Sequence, residues 1–154
     1  MDNKSLLLIY HSRSGEVSTA ADLIKKSALA TEKNITVRIK SSLEAKFIDI
    51  KSSDVLVLGT SANFGYMSGA LKFFFDEIYD DCLNKMNGQR FACFVKGNSD
   101  TTGAIKSIQT ITNALGWKEV LPPLSIIGKI DTPKKKQCEE YGSTIAAGLS
   151  LGIF

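Results

Sequence analysis

Residues 55–78 read VLVLGTSANFGYMSGALKFFFDEI, and three patterns follow one another within them. Val55-Leu56-Val57-Leu58-Gly59 is an unbroken apolar run, as a strand buried on both faces requires. A helix is expected from near Ser68, because Leu71, Phe74, Phe75, Ile78 and Cys82 share one stripe at helical spacing. Between the two lies Asn63-Phe64-Gly65-Tyr66-Met67, an apolar, glycine-bearing connection where polar residues are usual. Such residues either fold back into the core or wait for a flat, apolar partner.

The same alternation runs outward in both directions. Residues 6–10 (LLLIY) form a continuous apolar run, and Val17, Ala20, Ala21, Ile24 and Ala28 then recur at helical spacing. Residues 35–39 read as a second strand with Val37 and Ile39 on one face, followed by a short helical turn or loop over 43–50. Residues 91–95 are the fourth strand. Thr101 or Thr102 can cap the next helix, whose Ile105, Ile108, Thr112 and Leu115 share a face, and Gly116 is placed to end it. Residues 124–127 are the fifth strand, with Pro122-Pro123 blocking extension on its N-terminal side. Thr132-Pro133 gives a cap and a first-turn proline for a last helix that buries Cys138, Tyr141, Ile145 and Leu149. Five strand segments, each followed by helical sequence, predict an α/β fold: a doubly wound parallel sheet with helices on both faces, in one domain over 1–154.

The bulk properties exclude several function classes. The 154 residues are 44% apolar and 23% charged with a net charge of +3, ordinary for a globular chain and too mild a balance to predict nucleic-acid binding. Lys134-Lys135-Lys136 reads as the solvated first turn of a helix. Cys82, Cys93 and Cys138 are far apart with no CxxC, so neither a disulfide framework nor a metal site is expected, and each reads as a small hydrophobe. The apolar run after Lys4 is too short for a signal segment, and no stretch reaches the length of a membrane span. The expected location is cytoplasmic.

In a doubly wound sheet, ligands bind beyond the C-terminal ends of the strands, where strand order reverses. That directs attention to residues 11–16, 60–67 and 96–103. The first loop places Ser12, Ser14 and Gly15 immediately before a helix, whose unpaired N–H groups and partial positive charge suit a phosphate. Plain capping by Ser14 is the structural alternative. The lysine-bearing loop of nucleoside triphosphatases, GxxxxGK[ST], is absent, and so is GxGxxG. The acidic residues of a phosphorelay receiver and the cysteine nucleophile of a small phosphatase are missing from the same positions. In the second loop Phe64, Tyr66 and Met67 can pack on a planar ring, with Gly65 letting backbone groups reach its edge. The third loop is small, polar and rich in backbone donors. A phosphate grip, an aromatic wall and a polar loop in one crevice match the needs of flavin mononucleotide (FMN). His11, the single histidine, reads as a ring satisfied at a strand end. Asp76 and Glu77 read as a solvated helix face.

With these residues in view, the sequence resembles the flavodoxin-like FMN-binding proteins. YHSRSGEVSTAADLI is similar to their phosphate loop, and GTSANFGYMSGALKFFFDEI to the G-T-P-x-x-F-G-x-M-x-G-x-x-K-x-F-x-D segment of the tryptophan-repressor-binding-protein type of NAD(P)H:quinone reductase. The resemblance implies a three-layer sandwich with a five-stranded parallel sheet in the order 2-1-3-4-5. It implies that Ser12, Arg13, Ser14, Gly15, Glu16 and Val17 hold the FMN phosphate. It places Ser61, Ala62, Asn63, Phe64, Gly65 and Tyr66 along the isoalloxazine, and Gly97, Asn98, Ser99 and Asp100 at its pyrimidine edge. The activity it implies is that of an FMN-dependent NAD(P)H oxidoreductase acting on a quinone or similar acceptor, with NADPH or NADH as donor. A flavodoxin-type carrier working with a redox partner protein, or an interaction module without cofactor, is the alternative, and a homo-oligomer is left open. Val17 stands where flavodoxins usually carry threonine, and Ser61-Ala62 replace the reductases' Pro-Thr. The chain is also too short for the segment after the fourth strand that builds the reductases' substrate pocket and tetramer.

Overall fold

The computed structural model describes residues 3–154. Its centre is a sheet of parallel strands β1 (Lys4–Tyr10), β2 (Ile35–Ser41), β3 (Val55–Asn63) and β5 (Arg90–Gly97), ordered β2-β1-β3-β5. The far edge is shared by β6 (Lys118–Glu119) and β7 (Leu124–Ile127), both parallel to β5. A two-residue strand, β4 (Tyr66–Met67), folds back antiparallel on the end of β3. The helices are α1 (Glu16–Thr31), α2 (Phe47–Lys51), α3 (Gly69–Cys82), α4 (Thr102–Ala114) and α5 (Thr132–Leu151). This is the expected three-layer sandwich, with β7 as the fifth parallel strand.

Side chains alternate across each strand, so the continuous apolar runs feed two cores at once. Leu7, Ile9, Leu56, Leu58, Cys93 and Val95 face α3 and α4, where they meet Leu71, Phe74, Phe75, Ile108 and Trp117. Leu6, Leu8, Val55, Val57, Ala92 and Phe94 face α1 and α5, where they meet Val17, Ala21, Ile24, Ile145 and Leu149. Gly59 and Phe94 are cross-strand partners of β3 and β5. A Cβ on Gly59 would overlap Phe94 Cζ, so the phenyl ring lies in the space that a side chain there would fill.

The fifth strand begins at Leu124, after the prolines, as expected, but the same edge also holds an unexpected piece, β6, before them. Phe91 is paired with Glu119 and Phe94 with Leu124, so four edge residues span two on β5, a bulge. Val120 N–H donates to Phe91 O at 2.9 Å. The next carbonyl on that side, Cys93 O, would face residue 122, but Pro122 has no N–H to give. The Tyr141 hydroxyl reaches the gap from α5, 3.1 Å from Cys93 O and 2.9 Å from Pro122 O. Two other boundaries also move. Lys96 and Gly97 belong to β5 rather than to a loop, and the carboxylate that caps α5 is Asp131, accepting from Lys134 N–H, rather than Thr132.

Candidate functional site: a cleft at the C-terminal strand ends

The first wall follows β1. Gly15 is the N-cap of α1 at φ +92, a conformation glycine adopts without strain, and no side chain caps the helix. Ser14 is exposed, and plain capping by it is not what the structure shows. The Ser12 hydroxyl bends the loop by accepting from Gly15 N–H at 3.1 Å. The Gly15 carbonyl accepts from Thr19 N–H and from the Ser18 and Thr19 hydroxyls. The first-turn amides of α1 therefore remain open toward an anion.

The second wall is a hairpin. β3 runs beyond the end of β1 and turns back, pairing Ala62 with Met67 and Asn63 with Tyr66. Phe64 and Gly65 form the two-residue turn with φ +53 and +72, the positive pair of a type I′ turn. Asn-Gly is the usual occupant of such a turn. Phenylalanine at its first position is strained, at a cost of about 1–3 kcal/mol, and its ring is fully exposed. Local stability favours neither choice, and strain of this kind concentrates at functional sites. The turn is anchored from behind: Met67 N–H donates to Ser107 Oγ at 3.1 Å and Ser68 N–H to Thr60 Oγ1 at 2.9 Å. A Cβ on Gly103 of α4 would overlap Gly65 O, so α4 and the turn meet backbone to backbone.

The third wall is the end of β5 and the connection to α4. Asp100 accepts from Thr102 N–H at 3.0 Å and from Thr102 Oγ1 at 2.8 Å. The Thr102 amide bond, then its hydroxyl, hold the Asp100 carboxyl below the usual carboxylate range. Lys96 is 3% exposed at the side chain, and its Nζ lies 3.1 Å from Glu16 Oε2 at the start of α1.

These walls enclose a cleft of about 540 Å³. Arg13, Ser14, Glu16 and Val17 line it from the first loop, Ser61, Ala62, Asn63 and Phe64 from the second, and Gly97 and Asn98 from the third. Ser12 and Gly15 shape the first wall without lining the cleft, and Gly65 and Tyr66 complete the hairpin behind Phe64. Ser99 and Asp100 lie outside it, with Asp100 engaged at the start of α4. Lys96 also lines the cleft but was not among the residues expected to bind. The signal for it lay in the strand period, which puts Lys96 on the same face as Phe94. A larger groove of about 660 Å³ lies beside β6 and the end of α5, near the N-terminal end of β5. None of the three loops reaches it. Among the described residues no group of side chains could hold a metal ion, and no helix is long and apolar enough to cross a membrane.

Residues 8–142 match the flavodoxin family model. The chain belongs to the flavodoxin family. A flavodoxin of Aquifex aeolicus (strain VF5) is 29% identical over 145 residues, which cover 92% of this chain and 74% of that protein. Among solved structures, a flavodoxin from the domain Archaea superposes with a TM-score of 0.81 at 22% identity, covering 95% of this chain and 99% of that one. The flavodoxin, WrbA-like protein from Agrobacterium tumefaciens gives a TM-score of 0.79 at 15% identity over 96% and 98% of the two chains. At these identities the two structures speak for the fold. Membership in the flavodoxin family implies FMN as cofactor. The residues present fit it: open helix amides and Gly15 suit a phosphate, and an exposed aromatic stands over a cleft of ligand size.

Proposed function

We propose that this flavodoxin-family protein carries electrons on FMN held in the cleft, exchanging them with a redox partner across its open mouth. The observation that carries this reading is the mouth itself. Phe64 projects fully exposed from a strained turn at one side, while β5 joins α4 on the other through residues 98–101 alone. Bound FMN supplies reversible one- and two-electron chemistry. The chain's part is to hold and orient it. The open α1 amides, with Arg13, Ser14 and Val17 lining the cleft and Ser12 and Gly15 shaping the loop, receive the phosphate. Ser61, Ala62, Asn63, Phe64, Gly65 and Tyr66 give the ring an apolar wall. Gly97 and Asn98 offer polar groups to its edge, with Ser99 and Asp100 shaping the connection beside them.

Residues 59–78 favour an NAD(P)H oxidoreductase in the sequence, but that activity needs a surface to seat a nicotinamide against the ring. The connection over 98–101 is too short to supply one. Anaerobic mixing of the FMN-loaded protein with NADPH, then NADH, separates the two activities. No bleaching of the flavin over minutes is expected, and dithionite-reduced protein is expected to reduce cytochrome c. Rapid bleaching by either nucleotide would replace the carrier with the oxidoreductase. Protein that is colourless and shows no spectral change when titrated with FMN would remove both and leave an interaction module.

A further inference from the structure

The cleft holds an anion of the chain's own. Glu16 is the first residue of α1, so its carboxylate stands where the helix N-terminus favours negative charge. Its partner, Lys96, points to the α1 side of the sheet because it follows Phe94 at the strand period, and it emerges just beyond the core that Phe94 fills. A buried ammonium requires a counter-charge. Glu16 is the one carboxylate within 4.0 Å of it among the described residues, and the remaining contact is Gly97 O at 3.4 Å. The two partners differ in freedom: the Lys96 side chain is 3% exposed and held by its surroundings, whereas that of Glu16 is 47% exposed on a flexible stem.

An incoming phosphate seeks the same helix amides and the same ammonium, and it repels the carboxylate already there. We propose that Glu16 and Lys96 form a built-in anion exchange. Glu16 neutralises Lys96 in the ligand-free chain and swings into solvent when the cofactor's phosphate enters, leaving Lys96 as the phosphate's counter-ion. This rests on the reading that FMN binds in the cleft. It assigns Lys96 to phosphate recognition and makes Glu16 a competitor of the ligand, although Glu16 lies within the loop expected to grip it.

Fluorescence titration of the ligand-free protein with FMN and with riboflavin, which lacks the phosphate, tests the exchange. Glu16→Gln should tighten FMN at least threefold and leave riboflavin within twofold. Lys96→Met should weaken FMN at least tenfold with riboflavin again nearly unchanged, and Lys96→Arg should restore most of the loss. Unchanged or weaker FMN binding by Glu16→Gln overturns the exchange, and so does a Lys96→Met loss shared equally by riboflavin, which would mark Lys96 as structural. Glu16→Gln keeps a polar side chain at a half-exposed position but strips Lys96 of its counter-charge, so the thermal melt of the ligand-free variant is read beside the titration. A Gln variant that fails to fold would mark the pair as structural and overturn the exchange. Wild-type protein that binds neither flavin would instead sink the cofactor reading on which the exchange depends.

Discussion

At Phe64 stability and function pull in opposite directions. Its positive φ and exposed ring are both unfavourable in the isolated chain, and both make sense if the ring packs on a flat ligand. Replacing it with the residue that the turn prefers separates the two effects. Phe64→Asn should stabilise the ligand-free protein by about 1 kcal/mol, raising its Tm by roughly 2–4 °C, and should weaken FMN binding. Calorimetry and flavin titration on one preparation read both, and a variant that loses stability would show that the ring packs on protein instead. Gly65 is a subtler case. A Cβ there is expected to intrude on the ligand, yet no protein atom lies within 4 Å of it, so the cost within the chain is conformational, from φ +72. Gly103 is the sharper probe because its Cβ would strike Gly65 O from behind. Gly103→Ala should destabilise the fold by about 1–3 kcal/mol and lower FMN affinity, although residue 103 does not line the cleft.

Among the elements, the interrupted edge strand depends on a side chain from another layer. Tyr141 fills the hydrogen-bonding gap that Pro122 leaves beside Cys93 O, and burial pushes its phenol far above the ordinary value. Tyr141→Phe keeps the ring and strands the carbonyl, a loss of about 1–3 kcal/mol in urea denaturation with FMN affinity unchanged. A loss below about 0.5 kcal/mol would mean that solvent reaches the gap. The α1 and α3 faces were legible in the sequence: Val17, Ala20, Ala21, Ile24 and Ala28 are all buried, as are Leu71, Phe74, Phe75, Ile78 and Cys82. The hairpin was not. Residues 63–67 have no strand-length pattern of their own, and β4 exists because Ser107, Thr60 and the bare backbone of Gly103 receive it. Those partners lie up to 40 residues away.

For the whole molecule, the two-faced sheet was readable because continuous apolar runs can only be buried between two helix layers. The position of the cleft followed from the strand ends. What sequence reasoning missed was the burial of Lys96 and its pairing with Glu16: residue 96 reads as part of a loop, and only the extension of β5 through it puts the ammonium inside the cleft. The same burial governs the thiols. Burial, with smaller contributions from neighbouring acids, pushes Cys82 and Cys138 up from 9.0 to about 11 and Cys93 to about 12. Raised folded-state values mean that the stability these thiols contribute is intact below the unfolded value near 9.0. It is lost as pH rises toward about 11 for Cys82 and Cys138 and about 12 for Cys93. A disulfide reagent at about pH 8 should therefore find the native protein unreactive and all three thiols available in denaturant. Prompt labelling of the native protein would show that α3, β5 or α5 opens around its cysteine.

The ring of Phe94 over Gly59 has a consequence beyond packing. It works as a detent between neighbouring strands. Slid by one residue, Phe94 would meet Leu58 or Thr60, where a side chain already fills the space, and every core residue of β5 would turn to the wrong layer. Held in place, β3 and β5 run on in step for two more residues and bring Ser61 level with Lys96. The hairpin wall and the buried ammonium are thus aligned by a notch deep in the sheet. The spacing between a ring lying against one and a phosphate drawn to the other is set before either loop begins.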